Sequence, residues 1–102
     1  MATIWISEYV EQARDLRGYL VAAGQEPTLK EQCISHIGVK QVSEPFSAKT
    51  SFVRVVVDVP CLILFGTQPA DPRGGKYLPA NKPEFFGVPA GKALRIAVVA
   101  NA

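Results

Sequence analysis

Ser51-Phe52-Val53-Arg54-Val55-Val56-Val57-Asp58, residues 51 to 58, decides the fold class. The stretch is dominated by β-branched side chains, which suit a pleated surface. Successive residues of a strand point to opposite faces. Val53, Val55 and Val57 therefore share one face, and Phe52, Arg54 and Val56 share the other. Cys61 to Phe65 continues the apolar pattern and is ended by Gly66. Pro60 separates the two runs, so they read as a hairpin with a tight connection. Ala93 to Val99 alternates as well, with Leu94, Ile96 and Val98 on one face and Arg95, Ala97 and Val99 on the other. Glu84 to Val88 reads as its partner, because Pro89-Ala90-Gly91-Lys92 between them carries turn residues. Residues 84 to 99 thus read as a second hairpin. Thr3 to Ile6 and Leu29 to Ile37 are further strand candidates.

Two regions do not follow the alternation. From Ser7 to Leu16, Ser7 suits a helix cap, Glu8 and Glu11 suit a first turn, and Tyr9, Val10, Ala13 and Leu16 share a helical face, with Gly18 as a stop. A short helix and an extended arm fit this segment equally well. Residues 67 to 83 contain four prolines and a Gly-Gly pair, which argue against a long regular element. Short strands punctuated by turns predict an all-β domain, a small β-sandwich or jelly-roll-like barrel with an N-terminal arm or short helix. One domain spans residues 1 to 102, with 1 to 26 as the arm.

The totals agree with this reading. A chain of 102 residues holds one modest core and buries about 60–70% of its unfolded surface. Hydrophobic residues make up 48% and charged residues 20%, an ordinary globular composition. The net charge of +2, on 11 basic and 9 acidic residues, lacks the basic stripe of a nucleic-acid binder. Val59 to Phe65, the longest apolar stretch, is far short of the roughly 18 residues of a membrane helix. The first residues show neither a basic nor a long apolar signal region, so the expected compartment is a cytoplasm. Cys33 and Cys61 form no metal-type spacing and are expected to be buried, reduced thiols.

Residues with chemical potential are few. His36 is the single histidine, and no nucleophile or orienting acid stands near it in sequence. It reads as a filler at a strand end. Gly74-Gly75-Lys76 superficially suggests a phosphate loop, but that motif needs a glycine where Ala70 stands and a hydroxyl where Tyr77 stands. It reads as a flexible turn. Glu8, Glu11 and Asp15 read as a solvated helix face. No enzyme, cofactor or metal site is predicted. Arg54 and Arg95 interrupt apolar strands and should face solvent, a carboxylate or a partner, since an unpaired buried arginine is costly. Trp5, Tyr9, Tyr19 and Tyr77 lie outside the clearest core strands, and large aromatics and arginine are enriched at interfaces. Together with Arg73 and Lys76 of the long loop, these eight residues form the predicted partner surface.

Several segments carry a family likeness: I-W-I-S-E-Y at 4 to 9, A-G-Q-E-P at 23 to 27, F-V-R-V-x-V-D at 52 to 58, F-G-T-x-P at 65 to 69, and P-E-F-F-G-V-P-A-G-K-A-L-R-I-A-V-V-A-N at 83 to 101. Over nearly the whole chain the sequence resembles small proteins encoded by tailed bacteriophages and prophages among their virion structural genes. The resemblance implies a capsid decoration (cement) protein. It would bind the major capsid protein on the outer surface of the head, act as a dimer or trimer, and be made in the host cytoplasm. A neck- or tail-associated virion protein is the nearest alternative. From the residues themselves, a module binding host-surface glycan through Tyr77 and Asn81 is another. Residues 1 to 26 and 67 to 83 are the expected contact segments.

Overall fold

The computed structural model describes residues 2–10, 12–14, 16–17, 20–24, 28–69 and 71–101. Their regular structure is almost entirely extended. The strands are β1 (Thr3–Tyr9), β2 (Gln12–Arg14), β3 (Leu20–Gly24), β4 (Lys30–Ser35), β5 (Gln41–Val42), β6 (Phe52–Val57), β7 (Cys61–Gly66), β8 (Lys76–Leu78), β9 (Glu84–Gly87) and β10 (Arg95–Ala100). One antiparallel sheet has the order β4-β1-β6-β9 and a second the order β5-β10-β7-β8. The two pack face to face as an all-β sandwich. β2 and β3 form a separate two-stranded antiparallel ribbon.

The alternation in the opening stretch is realised as read. Val53, Val55 and Val57 are fully buried, while Arg54 and Val56 on the opposite face are half-buried. Ile4 and Ile6 of β1 extend that inward layer, and Cys61, Ile63, Ile96 and Val98 face it from the second sheet. Ile37, Phe46 and Val88 from connecting segments close the core. Each fully buried aliphatic side chain contributes roughly 1.5–3 kcal/mol of transfer free energy.

The expected hairpins are not formed. β6 and β7 belong to different sheets, as do β9 and β10. β6 is already flanked by β1 and β9, so it offers no free edge to β7. At Asp58–Pro60 the chain instead turns a corner between sheets. The Thr3 N–H donates to Asp58 Oδ1 (2.8 Å) and the Asp58 N–H to the Thr3 carbonyl (3.2 Å). Beyond the corner, the Asn101 N–H donates to the Pro60 carbonyl (2.8 Å). A hairpin would set the apolar faces of both strands side by side. The corner sets them against each other, which buries both.

The helical alternative for Ser7 to Leu16 is also excluded where it is described: β1 runs to Tyr9, and Gln12–Arg14 is a strand. Gly18 lies outside the described residues. Residues 67 to 83 are more regular than expected, because they contain a 3-10 turn at Pro72–Gly74 and the strand β8.

Candidate interaction surfaces

The outer face of the first sheet follows from the same period of two. β1 sends Trp5, Ser7 and Tyr9 outward. Trp5 lies opposite Cys33 on one side and Val56 on the other, Ser7 opposite Glu31 and Arg54, and Tyr9 opposite Phe52. Arg54 in turn lies opposite Phe85 of β9. At one end of this face Tyr9 and Phe52 are buried, with ring centroids 6.5 Å apart, and Phe52 stacks on Phe85 at 5.5 Å and 13°. At the other end Trp5 is 44% exposed, Cys33 is exposed and Val56 is half-buried. Arg54 sits between the two ends. It makes no ion pair among the described residues.

The outer face of the second sheet is covered in part by the chain itself, while Val42 and Tyr77 on that face stay exposed. Ala97 and Val99 point away from the core, yet both are buried, because the turn at Pro72–Gly74 packs on β7 and β10. Asp71 starts this turn. Its Oδ1 accepts the Arg73 N–H (3.0 Å) and its Oδ2 accepts from Arg73 Nη1 (2.8 Å). The backbone bond from Arg73, aided by the guanidinium and by Lys40, holds the Asp71 carboxyl below the usual carboxylate range. Lys40 Nζ donates to the Pro69 carbonyl (3.3 Å) at the other end of the segment. Gly75 is a site of close approach rather than a flexible turn. A Cβ there would stand 1.9 Å from the Ile63 carbonyl oxygen.

The two open sides of the sandwich differ in chemistry. Between β4 and β5 the seam is polar. Glu8 is fully buried on β1, inward in the series Ile4, Ile6, Glu8. Its Oε1 accepts the Ser47 N–H (2.9 Å) and the Thr50 hydroxyl (2.8 Å), and its Oε2 accepts from Gln32 Nε2 (3.0 Å). Gln32 also grips residue 44, accepting its N–H at 2.9 Å and donating to its carbonyl at 3.2 Å. Between β8 and β9 the seam is apolar. Phe65, Phe86, Val88, Pro89 and Leu94 line a cleft of about 260 Å³, with Lys76 among its walls.

The predicted partner residues therefore divide among several surfaces. Trp5 and Arg54 share the uncovered face of the first sheet, and Tyr9 is buried on that face. Arg73 is paired with Asp71 on the covered side. Tyr77, 55% exposed, lies on β8 opposite Leu62. Arg95 lines a shallow cleft with Val42, Gln68 and Pro69. Lys76 stands at the apolar seam. Tyr19 lies outside the described residues.

Both cysteines are free thiols. Cys61 is buried as expected, and burial, with the nearby Asp58 charge, pushes its thiol up to about 11. Cys33 is exposed, contrary to expectation, because its strand places it beside Trp5 on the outer face. His36 is exposed directly after β4, with φ 61°, and its carbonyl accepts from Gln41 Nε2 (3.4 Å), the geometry of a turn residue. Glu8, expected on a solvated helix face, is instead a buried strand residue; Glu11 and Asp15 lie outside the described residues. Extending the Ile4–Ile6 alternation by one step is the signal that marks Glu8 as inward.

Among the described residues no group of three or more His, Cys, Asp or Glu side chains forms a metal-type cluster, and no helix is long and apolar enough to cross a membrane. The chain matches no protein family, no curated protein and no solved structure.

Proposed function

We propose that this chain is a structural component of a tailed-phage virion, and specifically a decoration protein that binds the major capsid protein on the head surface as a dimer or trimer. The observation that carries the reading is the outer face of the first sheet, which leaves Trp5 44% exposed beside Val56, Cys33 and Arg54, an arginine with no ion pair among the described residues. Tryptophan and arginine are the residues most often found at the energetic centre of interfaces. A sheet held by a packed core presents them rigidly, so little ordering entropy opposes docking. The β2–β3 ribbon adds a second contact: Leu16, in the turn between its strands, is fully exposed. Repetition of such modest contacts over a symmetric shell yields high avidity.

The test is occupancy on heads assembled from the major capsid protein of the same phage. Trp5→Ala combined with Arg54→Glu lowers occupancy at least about tenfold, equivalent to 1.4 kcal/mol per site, while thermal stability of the free protein stays near wild type. Undiminished occupancy overturns the reading. A second reading, a module for host-surface glycan, rests on Tyr77, which is 55% exposed on β8, and on exposed Asn81. Binding on a glycan array that is lost in Tyr77→Ala, with no attachment to heads, favours that reading instead.

A further inference from the structure

The cleft between β8 and β9 is not used by the docking face. It opens at the seam where the edge strands of the two sheets meet without the polar tie found on the opposite side. Its walls are preformed. Phe65 and Phe86 stand 5.1 Å apart at 59°, and Phe65 is held from behind by buried Phe46 at 6.4 Å. Val88 and Leu94 complete an apolar floor. The volume, about 260 Å³, falls just below the roughly 300–1,000 Å³ typical of drug-sized ligands, so the occupant is small. Lys76 is the one charged residue of the lining, and it makes no ion pair among the described residues. A lysine lays its methylene stem along apolar surface and keeps its ammonium at the water boundary. As a compact point charge it suits a single anionic head rather than a planar, forked one.

We propose that this cleft binds a small amphipathic monocarboxylate, such as a medium-chain fatty acid. The acyl chain lies between Phe65, Phe86 and Leu94, and the carboxylate meets the Lys76 ammonium at the mouth. Charge complementarity selects acids over neutral or cationic molecules with the same apolar body.

The test is a methyl-detected NMR titration of the full chain with octanoate, octanol and octylamine. Octanoate gives saturable shifts at the Val88 and Leu94 methyls and binds more tightly than octanol by up to about fivefold, the upper end for a solvent-exposed ion pair. Lys76→Met abolishes that preference while leaving octanol binding intact, and Lys76→Glu shifts the preference to octylamine. Lys76 is exposed, so both variants retain the wild-type fold, which their spectra check. Equal affinity for all three probes, absence of saturable shifts, or shifts confined to residues outside the cleft overturns the proposal. So does exclusive binding of an apolar peptide with no response to octanoate.

Discussion

Between β4 and β5 the two sheets are fastened through a buried carboxylate; between β8 and β9 they meet through phenylalanine rings around a cleft. Both seams belong to one sandwich and enclose one core, so the difference is not a matter of overall packing. On the polar side Glu8 gathers three donors from two segments: a side chain on β4, and a backbone N–H at Ser47 and a hydroxyl at Thr50 from the β5–β6 connection. Hydrogen bonds are directional, so this arrangement fixes the path by which residues 43–51 cross from one sheet to the other. A buried carboxylate is costly unless its oxygens are satisfied, and here both are. Contacts between rings are less directional. On the apolar side the seam can close without specifying one interlocked geometry, and space remains. The polar seam defines the fold, and the apolar seam is left available for binding.

The largest expected effect comes from breaking the polar seam. Glu8→Ala leaves the Thr50 hydroxyl and the Ser47 N–H without their acceptor and costs about 3–4 kcal/mol in denaturant unfolding. Glu8→Gln retains an acceptor oxygen and is milder. If Glu8→Ala costs under about 1 kcal/mol, within the range of an ordinary surface change, the seam is not what fixes residues 43–51. Next in size is Gly75→Ala at the head of β8. The new Cβ meets the Ile63 carbonyl and forces β8 outward, at a cost of about 2 kcal/mol, with chemical shift changes spreading to the apolar cleft.

A smaller effect separates interior from surface. Cys33 reacts with a thiol reagent in the native protein, and Cys61 reacts only on unfolding. The Cys61 thiol is held protonated up to about 11 when folded, against an ordinary value of 9.0. The unfolded chain therefore releases this proton first as pH rises. Stability from this group is complete below about pH 9 and declines between about pH 9 and 11. Cys61→Ala flattens that decline in unfolding measured across the alkaline range. The smallest effect is at Lys76, where substitution by Met changes stability by less than about 0.5 kcal/mol.

Much of the sandwich was legible in the sequence, because alternation reports which face a residue occupies. Val53, Val55 and Val57, and Ile96 and Val98, were grouped on common faces by period alone, and the structure turns those faces inward. Alternation does not report which strand lies alongside. Val59-Pro60 and Pro89–Lys92 are as compatible with a corner between sheets as with a hairpin, and both expected hairpins proved to be corners. Arg54 was legible as an odd residue in an apolar strand and Trp5 as a large aromatic outside the clearest core strands, and their meeting on one face needed the β1–β6 register. Glu8 was obscured by a segment whose spacing also fits a helix. Gly75 was illegible, since its requirement comes from a carbonyl twelve residues away in sequence.

The contrast between the seams is tested most directly by NMR under xenon pressure, since xenon enters apolar space and avoids polar, hydrogen-bonded sites. The account predicts pressure-dependent shifts at the Val88 and Leu94 methyls and none at the Thr50 methyl beside Glu8. Shifts of equal size at Thr50, or an unresponsive Leu94, would contradict it.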